Sequence, residues 1–496
     1  MIGHKKHWKG RVKSGNSFDD PSFFLYLRTQ MIIELINQIN DALWGYAIIA
    51  ALVGCGLWFT WRTRFVQFRM VGEMFRLLFE SSGRPEGHER HISSFQAFAV
   101  SLASRVGTGN LAGVATAIAV GGPGAVLWMW VMALLGSATA FVESTLGQLF
   151  KRHHRDSFIG GPAYYIQQGL HSRWMAILFA VLITVSFGMS NNSVQANTIC
   201  GAMQGAFGWK PEVVGVVLVF ITLIIIFGGI QRIARVSSVL VPIMAIGYFV
   251  LVVVIVIMNI DLVPHVFRVI IDSAFGLEQA VGGTVGAAIM NGVKRGLFSN
   301  EAGEGSAPNA AATAAVSHPV KQGLIQALGV FTDTLVVCSC TAFIILISGI
   351  YDNPELNGIM LTQTALQHEV GAWGSVFVAI AILLFAYSSI IGNYYYGEAN
   401  VRFMTKHPAA IPIFRILSGG VMVLFGALVS LDTVWSIIDL CMALLTACNL
   451  IAIILLGKYV FRLLDDYRNQ KQQGIESPTF HRSQLPELQD ELDCWE

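Results

Sequence analysis

Two adjacent serines, Ser388 and Ser389, lie inside the apolar run Ile380–Ile391. Hydroxyls placed there can ligate a hard cation such as sodium, or bond back to carbonyls of their own helix. Two other apolar stretches carry polar interruptions. In Ser101–Gly113, Gly107 and Gly109 bracket Thr108, with Arg105 close by; in Gly296–Ser306, Ser299, Asn300, Glu301 and Glu304 surround Gly303. Glycine is a weak helix former, so a helix is expected to lose its winding at both places. Unwound backbone at membrane depth is tolerated only when buried in protein or lining a polar cavity. Its exposed N–H groups suit a carboxylate and its exposed carbonyls suit a cation. Close helix packing through small residues leaves Arg105, Glu301 and Glu304 unexplained, since each costs roughly 2.5–3.5 kcal/mol at a span centre. Asp333 and Asp439, in or near apolar spans, could carry a proton. All twelve histidines fall in tails, loops or span ends, which argues against a histidine relay or metal site.

The elements that must position these groups are membrane spans. Of 496 residues, 54% are hydrophobic and 13% charged, against about 25% charged in soluble domains. Mean hydropathy is +0.59, and runs of roughly 20 apolar residues, enough to cross the hydrocarbon, recur along the chain. A net charge of +1 excludes nucleic-acid binding driven by bulk positive charge. The seven cysteines match no disulfide or zinc spacing. Cys338-Ser339-Cys340 could hold a soft metal, but without nearby histidines cysteine is better read as a small buried hydrophobe.

Eleven spans are expected, over 42–61, 93–119, 124–149, 174–203, 211–229, 237–258, 281–316, 322–348, 370–394, 411–429 and 433–457. An amphipathic stretch, 259–280, separates two groups of five. The organisation is therefore an N-terminal tail (1–41), an extra helix (42–61), one five-helix unit (93–258), a second (281–457) and a polar tail (458–496). Loops on one side hold 21 Lys and Arg residues, whereas from residue 119 onward the other side holds Lys210 and Arg268. The positive-inside rule puts the first set in the cytoplasm, with the C-terminus inside and the N-terminus outside. The basic tail (Lys5, Lys6, Lys9, Arg11, Lys13, Arg28) contradicts that placement. Translation from Met31 would remove the conflict by making 1–30 an over-called extension; a tolerated basic tail is the alternative. The interrupted spans are the first and sixth of the ten that follow the extra helix, the trace of an inverted repeat.

At these residues the chain resembles the alanine/glycine:cation (sodium:alanine) symporter family over most of 31–465. The resemblance rests on Arg105–Ile118, Gly121-Gly122-Pro123-Gly124-Ala125 leading to Trp128-Met129-Trp130, and Gly160-Gly161-Pro162-Ala163-Tyr164-Tyr165. Val194-Gln195-Ala196-Asn197, Leu297–Gly303, and His318–Gly323 leading to Phe331-Thr332-Asp333-Thr334 complete it. It implies an all-α polytopic protein of the leucine-transporter type, a five-plus-five inverted repeat with one extra N-terminal helix, in the bacterial inner membrane. The implied activity is import of a small neutral amino acid, alanine or glycine, with sodium as coupling ion and no cofactor; the implied partners are the amino acid, sodium and membrane lipid. Sodium would be held by the carbonyls of Ala103, Val106 and Phe385 and the hydroxyls of Ser388 and Ser389.

The substrate carboxylate is then expected at the N–H groups of Thr108, Gly109 and Asn110. Gln195 and Asn197 could donate to it or accept from the ammonium, although Asn197 could equally make an interhelical hydrogen bond. Phe298, Ser299 and Asn300 would close the site. Arg105 is expected to pair with Glu301 or Glu304, because an unpaired buried charge is costly while the site is empty; the other reading makes it the substrate's counter-ion. Many family members carry Trp after the Ser388–Gly392 segment, where this chain has Asn393. That difference leaves open alanine, glycine or a larger amide amino acid such as glutamine. Proton coupling is a further alternative. A channel would need rings of like groups, and no nucleophile–base constellation points to an enzyme.

Overall fold

The computed structural model describes residues 31, 34–80, 92–154, 157–276, 285–428 and 431–495. Residues 1–30, the segment that a start at Met31 would remove, lie outside the described residues, as do 281–284 of the span expected over 281–316.

The described chain is all-helical apart from one two-stranded hairpin. In chain order come α1 (Glu34–Arg62), α2 (Val71–Leu78), α3 (Ser94–Arg105), α4 (Gly109–Gly121) and α5 (Ala125–Leu149). The hairpin β1 (Arg152–His154) and β2 (Ser157–Ile159) pairs antiparallel with His153 opposite Phe158. Next are α6 (Pro162–Gly169), α7 (Arg173–Phe207), α8 (Pro211–Ile226), α9 (Gly229–Met258) and α10 (Val263–Phe275). The chain continues through α11 (Val285–Asn300), α12 (Ala307–Ala311), α13 (Pro319–Ser348), α14 (Gly358–Val370), α15 (Trp373–Met404), α16 (Ala410–Leu428) and α17 (Leu431–Gln472). Among the described residues, eight helices are long and apolar enough to span a membrane, namely α1, α5, α7, α9, α13, α15, α16 and α17. Lipid-facing surface survives as exposed side chains on α8 and α9, including Phe220, Ile224, Ile243 and Ile246, as expected where the solvent is hydrocarbon.

The first expected break is present. A capping box starts α3: Gln96 N–H donates to Ser93 Oγ at 3.2 Å, and Ser93 N–H to Gln96 Oε1 at 3.0 Å. The helix ends at Val106, whose ψ is 93°, and winding resumes at Gly109. The second break also falls where the glycines put it. After α11, Glu301 (φ 57°), Gly303 (φ 95°) and Gly305 (φ 80°) turn the chain through left-handed conformations. Winding then returns only for the five residues of α12, so the second half of this span is much shorter than expected.

Helices α2 and α6 fall in expected loops, and two further regions differ from expectation. The connection expected between the spans 322–348 and 370–394 holds α14, which packs on α15 and α4. The polar tail is folded: α17 runs on to Gln472, and the following chain returns to the bundle. There Trp495 Nε1 donates to Leu149 O at 2.9 Å, and Phe480 N–H donates to Ser317 O at 2.9 Å.

Candidate site between the broken helices

The α3–α4 break faces α15 through three carbonyls and two hydroxyls. Ser388 Oγ lies 2.8 Å from Phe385 O and 3.3 Å from Ala103 O; Ser389 Oγ lies 3.1 Å from Phe385 O and 3.3 Å from Val106 O. All five residues are fully buried. The oxygens converge because winding is lost. Gly107 N–H turns to Asn110 Oδ1 (2.8 Å) and Asn110 N–H to Gly107 O (3.2 Å), so Ala103 O and Val106 O lose their usual helical donors. Two hydroxyl protons then face three carbonyls, an excess of lone pairs that suits a cation. For a hard cation that takes oxygens at about 2.3–2.6 Å, as Ca²⁺ does, octahedral neighbours lie roughly 3.3–3.7 Å apart. The observed spacing is slightly tighter, as expected while hydroxyl protons bridge the same oxygens. Back-bonding to Phe385 and convergence on the break are thus both present.

Gly107 is the cradle. A Cβ there would fall 2.2 Å from Ser389 Oγ and 2.7 Å from Gln195 Oε1. Gln195 Oε1 accepts both Thr108 N–H (2.9 Å) and Thr108 Oγ–H (2.8 Å), while its Nε2 donates to Asn191 Oδ1 at 2.9 Å. The Thr108 and Asn110 N–H groups expected for a carboxylate are therefore satisfied internally in this form. Gly109 faces the second break, where a Cβ would lie 3.1 Å from both Phe298 Cδ1 and Ser299 Cα.

Asp333 ties the two breaks together. It accepts from Asn110 Nδ2 (2.6 Å), Ser299 Oγ (2.6 Å) and Thr334 Oγ (3.0 Å). Asn300 donates to Thr334 Oγ at 3.2 Å and accepts from Ala302 N–H at 3.0 Å. Glu301 makes a second tie, accepting from Ser104 Oγ of α3 at 2.7 Å and from Ser306 Oγ at 2.5 Å. Ser104 Oγ also lies 2.5 Å from Asn393 Oδ1, and Asn393 Nδ2 is buried without a partner.

Asn197 makes the interhelical alternative: its amide donates to Gly426 O of α16 at 2.8 Å. Arg105 forms no ion pair with Glu301 or Glu304 among the described residues. Its Nη1 donates to Gln326 O at 3.1 Å, with Nε and Nη2 unpartnered. A Cβ on Gly329 would sit 2.3 Å from Nη1, so close packing against α13 directs the guanidinium there. Cys338 and Cys340 are buried thiols, and the other five cysteines are likewise free.

Sequence reasoning passed over Glu143 of α5. Fully buried, it accepts Gly303 N–H (3.3 Å) and Gly305 N–H (3.1 Å), and Asn449 Nδ2 of α17 at 2.8 Å. It thereby supplies the acceptors that the unwound turn has lost. A glutamate inside an apolar span was the available signal, the one that singled out Glu301.

Mutually facing helix breaks, a buried oxygen cluster and polar ties between unwound segments, held among eight helices long and apolar enough to span a membrane in the described residues, are the architecture of a multi-pass membrane transporter. The family comparison is specific. The chain belongs to the sodium:alanine symporter family, whose model matches residues 29–482. It is 51% identical to the amino-acid carrier protein AlsT of Bacillus subtilis over 463 residues, covering 93% of this chain and 97% of that one. It is 50% identical to the probable sodium/glutamine symporter GlnT of the same organism over 468 residues (94% and 96%). Over 440 residues it is 38% identical to the sodium/alanine symporter AgcS of Methanococcus maripaludis (86% and 95%). The protein is a sodium-coupled amino-acid symporter and not an enzyme.

Proposed function

We propose that this symporter imports a small neutral amino acid, alanine or glycine, with sodium bound by Ala103, Val106, Phe385, Ser388 and Ser389. The oxygen cage at the α3–α4 break carries the reading. The substrate carboxylate takes the place of Gln195 Oε1 at the Thr108 N–H and hydroxyl, beside the ion, so one break holds both cargoes. Phe298, Ser299 and Asn300 cover the site from the second break. The two breaks support a leucine-transporter-type five-plus-five repeat (93–258 and 281–457), with the N-terminus outside, the C-terminus cytoplasmic, and α1 outside the repeat. A second reading, glutamine as cargo, is favoured by the unpartnered Asn393 Nδ2, a buried donor suited to a side-chain amide, and by the name of the GlnT relative.

Uptake of labelled alanine, glycine and glutamine into proteoliposomes, with and without an inward sodium gradient, tests both readings. Sodium-dependent alanine or glycine uptake is expected. Ser389→Ala removes one ligand and should raise the half-saturating sodium concentration about tenfold, the loss of roughly one interaction with a charged group. Unchanged uptake at limiting sodium would remove Ser389 from the cage. Uptake that follows a pH gradient and ignores sodium would transfer the coupling to a proton.

A further inference from the structure

Where α1 ends, on the side that the proposed orientation puts in the cytoplasm, the chain turns back through Arg64 (φ 55°) and Phe65 (φ 58°). Both are in the left-handed region that L-residues rarely adopt. Two bonds to Thr60 lock the turn: Phe65 N–H donates to its carbonyl at 2.8 Å, and Gln67 Nε2 to its hydroxyl at 2.8 Å. Between this turn, α2 and the cytoplasmic extension of α17 lies a cavity of about 320 Å³. Small-molecule sites have volumes of about 300–1,000 Å³. Four cationic side chains, Arg64, Arg69, Arg468 and Lys471, line the cavity against one carboxylate, Glu73.

That carboxylate is already engaged. Glu73 accepts from Arg76 at 2.7 and 2.8 Å and from Tyr467 OH at 2.5 Å, and Lys471 Nζ lies 3.4 Å away. Arg69 Nη1 donates to Arg64 O at 3.4 Å. Among the described residues, the guanidiniums of Arg64 and Arg468 have neither a hydrogen bond nor an ion pair. Basic residues scattered over a cytoplasmic face satisfy the positive-inside rule as solvated charges. These four instead share one concavity, where a single sign of charge focuses the field and draws in an anion. The guanidinium forks suit phosphate oxygens. Flanking the turn, Trp58, Trp61 (64% exposed), Phe65 (51% exposed) and Phe68 present their rings outward, as side chains do at the headgroup level of a bilayer. A phosphate carried on acyl chains meets both the cations and the rings; a soluble phosphate meets only the cations.

We propose that this cavity binds the phosphate headgroup of an anionic phospholipid of the cytoplasmic leaflet, with the acyl chains lying against the rings that flank the turn. Such a site gives the extension of α17 a role, since Arg468 and Lys471, three residues apart on one helical face, both come from it. It is independent of which amino acid the symporter carries and takes only the orientation from the reading above.

Lipid binding to the purified full-length protein in detergent, followed by native mass spectrometry during titration with phosphatidylglycerol or phosphatidylcholine, tests the site. The wild type is expected to retain one phosphatidylglycerol at a concentration at least tenfold below that needed for phosphatidylcholine. Arg64→Gln and Arg468→Gln should each raise the half-saturating phosphatidylglycerol concentration about fivefold, equivalent to about 1 kcal/mol per cation, and leave phosphatidylcholine unchanged. Lys406→Gln with Arg482→Gln, which removes two exposed cations elsewhere on the same face, should stay within twofold of wild type. Arg64→Gln and Arg468→Gln values within twofold of wild type would overturn the proposal. An equal loss in the Lys406/Arg482 control would overturn it as well, assigning retention to diffuse surface charge. Displacement of the bound lipid by millimolar glycerol 3-phosphate would give the cavity to a soluble phosphate instead. If Arg468→Gln melts below wild type without lipid, Arg64→Gln, on the exposed turn, decides by the same criterion.

Discussion

At the scale of single residues, the cage depends on the absence of a side chain. Gly107 brings the unwound backbone against Ser389 and Gln195, and a methyl group would occupy space that both now fill. Ser389 cannot yield by rotating, because its hydroxyl is held between Phe385 O and Val106 O. Gly107→Ala is therefore expected to lower sodium-dependent uptake at least a hundredfold, about 2.7 kcal/mol. The variant should still purify as a folded protein, since overpacking one contact usually costs about 1–3 kcal/mol. Sodium titration of uptake checks this, and a wild-type sodium response from the variant would place the ion elsewhere. The sequence itself marked Ser388 and Ser389, the family resemblance added the carbonyls of Ala103, Val106 and Phe385, and in the structure the five lie together. It could not direct Arg105 or Asn197. Both turn toward neighbours, Gln326 and Gly426, that lie more than 200 residues away in the chain.

Elements were legible where hydropathy decides them and obscure where only packing does. Among the described residues, eight helices are long and apolar enough to span a membrane, and both breaks fall at the glycine-rich segments. The helix α14 was missed because its polar residues, such as Gln363 and Thr362, are satisfied by neighbouring helices and leave no long apolar run. The C-terminal tail is similar: its polar composition hides Phe480, Leu485, Leu488, Leu492 and Trp495, all buried against the bundle. That docking buries two bases. Lys151 donates to Ala314 O at 3.2 Å beneath the rings of Trp495 (4.6 Å) and Phe158 (4.1 Å), and burial pushes its amine down from 10.5 to about 7. His318, between Tyr467 and Phe480 and 3.2 Å from Asp466, is also pushed down by burial. For Lys151 the two ring contacts favour the charged amine by about 0.5–2 kcal/mol each, against a desolvation shift of roughly 5 kcal/mol, so the neutral form is favoured. A base with a lowered docked pKa opposes docking fully below that pKa. The opposition is relieved as pH rises toward the undocked value near 10.4. Amide protection factors across 477–495 should therefore rise between pH 7 and 9, by at most about tenfold per unit, and fall in acid as His318 protonates. Protection that grows in acid would show the ammonium–ring contacts to dominate.

At the scale of the whole molecule, the proposed one-ion, one-zwitterion cycle sets how much work transport can do. Glu143, Asp333 and Glu301 are each held by several neutral donors that belong to the protein, so these carboxylates serve as ties within the scaffold. One sodium in the proposed cage, with a neutral zwitterion beside it that adds no net charge, would move one positive charge per cycle. Moving it through 100 mV yields about 2.3 kcal/mol, and a tenfold sodium gradient adds about 1.4 kcal/mol. Together, about 3.7 kcal/mol supports roughly 500-fold accumulation of the amino acid. A second coupled sodium would double the free energy and square that ratio, to roughly 250,000-fold. The steady internal-to-external ratio of labelled substrate in sealed proteoliposomes, with potential and sodium gradient both clamped, separates these cases. A plateau near 500-fold is expected, and it should fall about tenfold when the sodium gradient is removed at constant potential. A plateau insensitive to that removal would mean that the cage binds an ion the cycle does not carry.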